Sequence, residues 1–578
     1  MRNTSLKILL LSTSLAPFAF AQNTDPGKDN GVKTDPGLKT DQGVTTTEKK
    51  DEKSNIPVDS TSGSAGARAV GLAPAGVNHS NFMDTRLTWT FGDDDFLNKT
   101  GVLVPLSPTF SLGDRQQYRL FFDNLNSRFA GRENITHLVL YKKMPGFIDK
   151  LTTEAALVLR LDLNQLAGNS NNVNSAFYDS GSYLRIFYQT GAKEREGISA
   201  VFFPLDTDRF RLGYLYDISW GGTAGFINES IFPRIQGSSP GMKVQFETEK
   251  FYAFAGFKTA TIIQPEQVLT GGGENDVEVV RVGETNFGFL AGAGADPTDF
   301  LHLDVGAGHF NQGKFDLEDV RGERVSTTGA SARLVLHKDM PVPQSVDFRL
   351  YRNDPMSPQV LFAPQKYKSG EFAWSISAEG SYLSQRLKDF DNAGQIKSQG
   401  AIAAALQAVV KAGYARFSLT GIYRDLNYVV RNVPGFIPFE TLPSAAKTDP
   451  ELFGALAADY YIESARLTPS ASFGLQMPAT FRSEFTEGGI PAVRSIIVRR
   501  QGDESILPYN KGRTPIMQAR AGVTWGLSDM LSMTAWVQYV HDGNGTLVVR
   551  DQREGTASLR VSQKSDRLGV GVALQARF

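Results

Sequence analysis

The sequence predicts an all-β chain closed as a transmembrane antiparallel β-barrel. Three observations predict it: strand-length segments that alternate apolar and polar residues, connectors of two distinct lengths, and no long apolar run beyond the leader. The last segment alternates without a fault. Leu568, Val570, Val572, Leu574, Ala576 and Phe578 are apolar, while Gly569, Gly571, Ala573, Gln575 and Arg577 between them are small or polar. A period of two gives a strand one face that meets apolar surroundings and one that meets something else.

The leader comes first in chain order. Arg2 and Lys7 are followed by the apolar stretch Ile8 to Phe20, and Ala19-Phe20-Ala21 before Gln22 fits small-residue cleavage, so residues 1–21 are expected to be a secretory signal peptide. The 578 residues include no cysteine, which excludes a disulfide and a lipid-modified N-terminal Cys. No later run approaches the roughly eighteen consecutive apolar residues of a membrane helix, so a chain that spans must do so as a closed barrel.

Residues 22–80 are expected to form a disordered periplasmic tether. From Gln22 to about Gly76 the chain is rich in Asp, Lys, Thr, Gly and Pro, with a near-repeat at Thr34-Asp35-Pro36-Gly37 and Thr40-Asp41-Gln42-Gly43, and has no aromatic residue. Such a segment buries too little apolar surface to offset its chain entropy, and as a coil it reaches about 40 Å. It either finds another envelope component through residues 22–76 or is a spacer without a partner. Residues 81–578 show no composition break and are read as one unit.

Within that unit, Phe210, Leu212, Tyr214, Tyr216, Ile218 and Trp220 alternate with less apolar neighbours, as do Met517, Ala519, Ala521, Val523 and Trp525. Both read as membrane strands of about ten residues. The same rule picks out Leu157 to Leu163, Phe287 to Ala291, Leu301 to Val305, Phe372 to Ile376, Ala415 to Tyr423 and Leu531 to Tyr539. Short connectors are expected at Leu205–Asp208, Ala295–Asp299, Ala412–Gly413 and Leu527–Asp529. Long ones are expected at Gly221–Gly241, Thr261–Glu284, Asp425–Gly454, Pro478–Thr514 and Asp542–Asp566. The strand number is expected to be even, sixteen to eighteen, although the short–long alternation slips by one between residues 353 and 411.

A barrel of that size leaves a water-filled lumen. The non-lipid faces carry Arg160, Asp162, Arg185, Arg209, Arg211, Asp217, Lys243, Glu247, His302, Asp304, Arg333, Asp347, Arg349, Glu379, Arg416, Arg424, Asp459, Glu463 and Arg520. Of these, Arg209, Arg211, Asp217, His302, Asp304, Arg416 and Arg520 are the candidate pore-lining residues. Facing charges would select solutes by sign, while charges paired with neighbours would only brace the wall. Asn432–Pro443, with two Phe, an Ile and three Pro, is expected to pack against something, either in the lumen or at the barrel mouth. The block from Gly92 to Asn134, holding Tyr118 to Leu125, has room for a short helix or a plug element.

Evidence for other chemistry is thin. A net charge of -1, from 60 basic and 61 acidic side chains, gives no electrostatic reason for nucleic-acid binding. The pairs His302/Asp304 and His541-Asp542 lack a nucleophile or a second carboxylate element, so polar lumen and rim networks are the plainer readings. Asp93-Asp94-Asp95 with Asn98 lacks the spacing of a calcium loop, and Gly271-Gly272-Gly273 lacks the Lys and Ser or Thr of a phosphate loop. No catalytic residue, metal site or cofactor is therefore expected.

The closing strand and its terminal Phe578 resemble those of bacterial outer-membrane β-barrels, porin-like in size, in which a final Phe is part of the signal read by the assembly machinery. The departure is Ala576, where that class often has an aromatic residue. The resemblance implies an outer-membrane location with the tether in the periplasm. It implies as partners the surrounding lipid and the barrel-assembly machinery. The function it implies is passive diffusion of ions or small hydrophilic solutes. The alternative is a barrel acting through partners in an envelope-spanning assembly for polysaccharide export, adhesion or surface motility.

Overall fold

Strands with one apolar face each must bury those faces against one another or turn them to lipid, and the computed structural model shows the second solution. It describes residues 81–93, 109–111, 136–161, 177–179 and 182–577, except, within the last span, 194–195, 206–209, 214, 216–217, 222–239, 270–276, 316–317, 341, 343–371, 432–439, 488, 499–503, 529–530, 551–556 and 562–564. Twenty strands share one antiparallel sheet. Two are three-residue pieces, Thr109–Ser111 and Phe177–Asp179, and the other eighteen make the wall.

In chain order these are β1 (Asn81–Asp93), β2 (Thr136–Pro145), β3 (Leu151–Leu161), β4 (Tyr183–Gln189), β5 (Gly197–Phe203) and β6 (Gly241–Glu247). Then come β7 (Phe251–Leu269), β8 (Val277–Thr298), β9 (Leu301–Lys314), β10 (Arg324–Lys338), β11 (Phe372–Lys388) and β12 (Ile396–Ala412). The last six are β13 (Ala415–Arg424), β14 (Glu451–Tyr460), β15 (Leu467–Met477), β16 (Ile516–Gly526), β17 (Leu531–Asp542) and β18 (Asp566–Arg577). Each pairs with the next. β18 pairs back onto β1, with Trp89 opposite Leu574, so the pairings return to their start. No wall strand is left with an open edge along its whole length, which is what hydrocarbon demands of a sheet.

The alternation sorts side chains by environment. Leu303, Val305, Ile402, Leu406, Leu452, Leu456, Val570 and Val572 are exposed on the outer face, while the intervening His302, Asp304, Ala401, Ala403, Glu451 and Phe453 are buried on the inner one. Exposed Phe251, Phe300, Phe372, Tyr460 and Trp525 cluster at one end of their strands, the position of an interfacial aromatic girdle. That end carries the short turns 146–150, 190–196, 248–250, 299–300, 413–414, 461–466 and 527–530, together with the start of β1 and the end of β18.

Three expectations change. Phe210–Trp220 is not a wall strand, because β5 pairs directly with β6 and the described residues of 210–221 are buried inside the wall. Thr261–Glu284 is not a loop throughout, because β7 and β8 run on for 19 and 22 residues as a paired hairpin. The slip near residues 353–411 also resolves. β10 pairs directly with β11, so the wall has no strand between them, and the connector 339–371 is a long one at the short-turn end. Asn432–Phe439 and most of the block 92–134 lie outside the described residues.

The face assignment has a measurable consequence. Leu406→Arg, on the lipid side of β12, should cost about 2–4 kcal/mol in urea unfolding from vesicles, while its inward neighbour Gln407→Arg should cost less than about 1 kcal/mol.

Candidate functional site

The inward turn follows from what its side chains need. Phe210, Leu212, Leu215, Ile218 and Trp220 are each no more than 3% exposed. The N–H of Leu212 donates to the carbonyl of Trp220 (2.9 Å) and the reverse bond is 3.0 Å, while the Leu215 carbonyl accepts from Ile218 (3.1 Å) and Ser219 (2.9 Å). Gly213 and Gly221 permit this with φ of 91° and 87°, where a side chain would be strained.

The wall is shaped to receive it. A Cβ on Gly256 would lie 2.8 Å from the Phe210 ring, one on Gly306 2.5 Å from Leu212, and one on Gly329 3.0 Å from Trp220. These glycines sit on the inner faces of β7, β9 and β10, so their missing side chains are the space that the insert occupies. Polar groups then fix its register. Trp220 Nε1 donates to Ser331 Oγ (2.8 Å), the Leu215 N–H to Glu379 Oε2 (2.8 Å), Ser381 Oγ to the Ile218 carbonyl (2.7 Å) and Lys258 Nζ to the Phe210 carbonyl (2.5 Å). The Tyr428 hydroxyl also donates to the Ile218 carbonyl. The Lys258 ammonium stands 5.6 Å from the ring centroids of both Phe210 and Phe310, within cation–π range.

Around the insert the inner wall is charged and largely paired. Arg185 meets Glu154 at 2.7 Å, Arg424 Nε meets Glu451 at 2.9 Å and Arg416 Nε meets Asp459 at 2.7 Å. Arg333 Nε donates to Asp304 Oδ2 at 2.6 Å, and Tyr252 donates its hydroxyl to the same carboxylate. His302 bridges two acids, with Nδ1 2.6 Å from Asp296 and Nε2 3.0 Å from Asp304.

Among the candidates, His302 and Asp304 come together on β9, Arg416 lies on β13, and Arg520 lies on β16 with its guanidinium 5.0 Å from the Trp536 ring. Arg211 is buried but sits on the insert, where its Nη2 donates to the Ser219 carbonyl at 3.2 Å. Arg209, Asp217, Phe578, Asp162, Asp347, Arg349, Asp94, Asp95 and Asn98, together with 271–273, lie outside the described residues. Glu463 is not on a wall face: it occupies a short turn, bonded to the Tyr414 hydroxyl at 2.6 Å. His541 contacts Asp566 at 2.8 Å in an exposed rim pair. Lys258, Lys411, Gln245, Gln518 and Gln538 are buried inner-face residues that the sequence reading passed over. For Gln245 and Gln518 the available signal was their place two residues from Lys243 and Arg520.

The fold is a closed antiparallel β-barrel with an apolar outer face. No family model matches the chain, and no curated protein matches it. Among solved structures it is similar to the outer membrane protein opdK from Pseudomonas aeruginosa, at 10% identity over 86% of this chain and 98% of that one, with a TM-score of 0.36. OccAB4 of Acinetobacter baumannii is similar at 9% identity, 86% and 99% coverage and a TM-score of 0.37. For OmpT of Vibrio cholerae the values are 8%, 86%, 97% and 0.30.

The outer connectors are tied to one another. Asp319 accepts from the Gly394 N–H at 2.9 Å and pairs with Lys388 at 3.1 Å, and Lys388 pairs with Glu440 at 2.9 Å. The Gly394 N–H, with help from Lys388, holds the Asp319 carboxyl below its ordinary value of 3.8, and the Asn392 side chain does the same for Asp389.

Two outcomes follow. Depressed carboxyls contribute fully above their ordinary value and lose that contribution as pH falls through the depressed one, so protease cutting in 389–395 should be slow near neutral pH and speed up progressively only as pH falls below the ordinary carboxyl value. Arg333→Met leaves Asp304 buried without its guanidinium and should cost about 3–5 kcal/mol of unfolding free energy, part of which Asp304→Asn in the same chain restores.

Proposed function

We propose that the protein is an outer-membrane channel for passive diffusion of ions or small hydrophilic solutes, narrowed by the segment 210–221. One observation carries this reading: a cycle of eighteen strands has charged and amide side chains on its inner face and apolar ones outside, which is the arrangement of a water-filled barrel. The insert supports it, because it takes up lumen space while leaving paired charges around it. In this reading His302, Asp304, Arg416 and Arg520 line the wall and Arg211 belongs to the narrowing itself. Solutes pass by size and sign, with facing charges replacing part of their hydration.

The test is conductance of the refolded chain, Gln22 to Phe578, in a planar bilayer. Stable steps are expected, and the double variant Phe210→Ala with Trp220→Ala should enlarge them by emptying the glycine-lined seat. Silence from protein shown to be inserted would overturn the reading.

A further inference from the structure

The insert is held from the outer surface as well as from the wall. The helix α1 (Leu426–Arg431) opens the connector 425–450 and is anchored to the upper part of β12. Asp425 Oδ1 accepts from the Tyr428 N–H (2.7 Å) and Oδ2 from the Ile402 N–H (2.8 Å), while Asn427 Nδ2 donates to the Gly400 carbonyl (2.9 Å).

Its side chains divide between two apolar clusters. Tyr428, fully buried, belongs to the lumen cluster with Phe210, Leu212, Ile218 and Trp220. Leu426, Val429 and Val430 belong to a second cluster with Ala479 and Val498. That second cluster is the core of a four-stranded sheet outside the wall, built from Lys447–Asp449, Ala479–Glu487, Ile490–Val498 and Glu504–Ile506. Among the described residues, α1 is the one element that contributes to both clusters.

We infer that α1 couples the outer sheet to the luminal insert, so that whatever loosens the sheet also frees segment 210–221. The coupling runs through the Tyr428 hydroxyl on the Ile218 carbonyl and through the packing of Tyr428 in the lumen cluster. Packing in the outer cluster sets the position of α1, and that position decides whether Tyr428 reaches the Ile218 carbonyl, which also accepts from Ser381. Energetic coupling of this kind needs a physical element biased from both sides, and α1 is such an element. Tyr428 is thus a positioning residue for the narrowing, acted on from the outer sheet. The inference rests on the channel reading for its consequence in transport, but the coupling itself is measurable without it.

The experiment is hydrogen exchange of the full mature chain in detergent, followed on peptides covering 210–221, for wild type, Tyr428→Phe, Val430→Asp and the double variant. Val498→Ala serves as a milder change in the outer cluster should Val430→Asp not refold. Each single variant should speed exchange of 210–221 by about fivefold, the effect of one lost hydrogen bond, with the strands of the wall unchanged. The double variant should be no faster than the faster single one. Wild-type exchange of 210–221 in the outer-cluster variants, or multiplied effects in the double variant, would overturn the coupling. Conductance of the same proteins separates the two ideas. Silence of the wild type counts against the channel, whereas exchange alone decides the coupling.

Discussion

Backbone hydrogen bonding is the constraint on which the rest of the structure depends. In hydrocarbon an unpaired N–H or C=O costs several kcal/mol, so a strand that crosses lipid must be paired on both sides. The return of β18 to β1 meets that demand. Closure in turn fixes which residues meet lipid, because a period of two gives each strand one outer face. From β9, Leu303 and Val305 go out and His302 and Asp304 go in. No further specification is needed to produce a polar interior.

That interior is not left empty. A wide lumen lined by charge is a place where an apolar segment packs only if the wall supplies apolar depth, and the glycines of β7, β9 and β10 supply it by omission. Phe210, Leu212 and Trp220 fill the space those glycines leave, and the carbonyls and N–H groups of the turn find partners in Ser331, Glu379, Ser381 and Tyr428. Leaving those buried groups without partners would cost about 1–3 kcal/mol each. The insert is therefore held by polar contacts as well as by packing, and its position reports on the elements that carry them, α1 among them.

Much of the wall was legible in the sequence because its physics is local. β9, β13, β17 and β18 show their alternation residue by residue, and an even strand number near eighteen followed from the count of strand candidates and the alternation of short and long connectors. Phe210–Trp220 was misread for an equally physical reason. Its alternation is real, but the apolar side chains face the glycines of the wall instead of lipid, and a period of two does not say which apolar surface awaits. Its neighbours held the clue, since the short connectors 190–196 and 205–208 would have followed one another without a long one between. The charged inner faces of β9 and β13 were readable, whereas the pairing of Arg333 with Asp304 depends on strand register. The tie from Tyr428 to Ile218 spans 210 residues and had no local signature.

The most direct measurement of this architecture uses the absence of native cysteine. Single cysteines placed in turn from Leu301 to Phe310 along β9, in cells, would be labelled with a membrane-impermeant hydrophilic maleimide small enough to enter the lumen. The structure predicts labelling that alternates with a period of two, strong at some or all of 304, 306 and 308 once the insert is removed by Phe210→Ala with Trp220→Ala, and weak at 303, 305 and 307 in every background. Uniform labelling along β9, or reactivity greater at 303, 305 and 307, would contradict the assignment of faces and the barrel built on it.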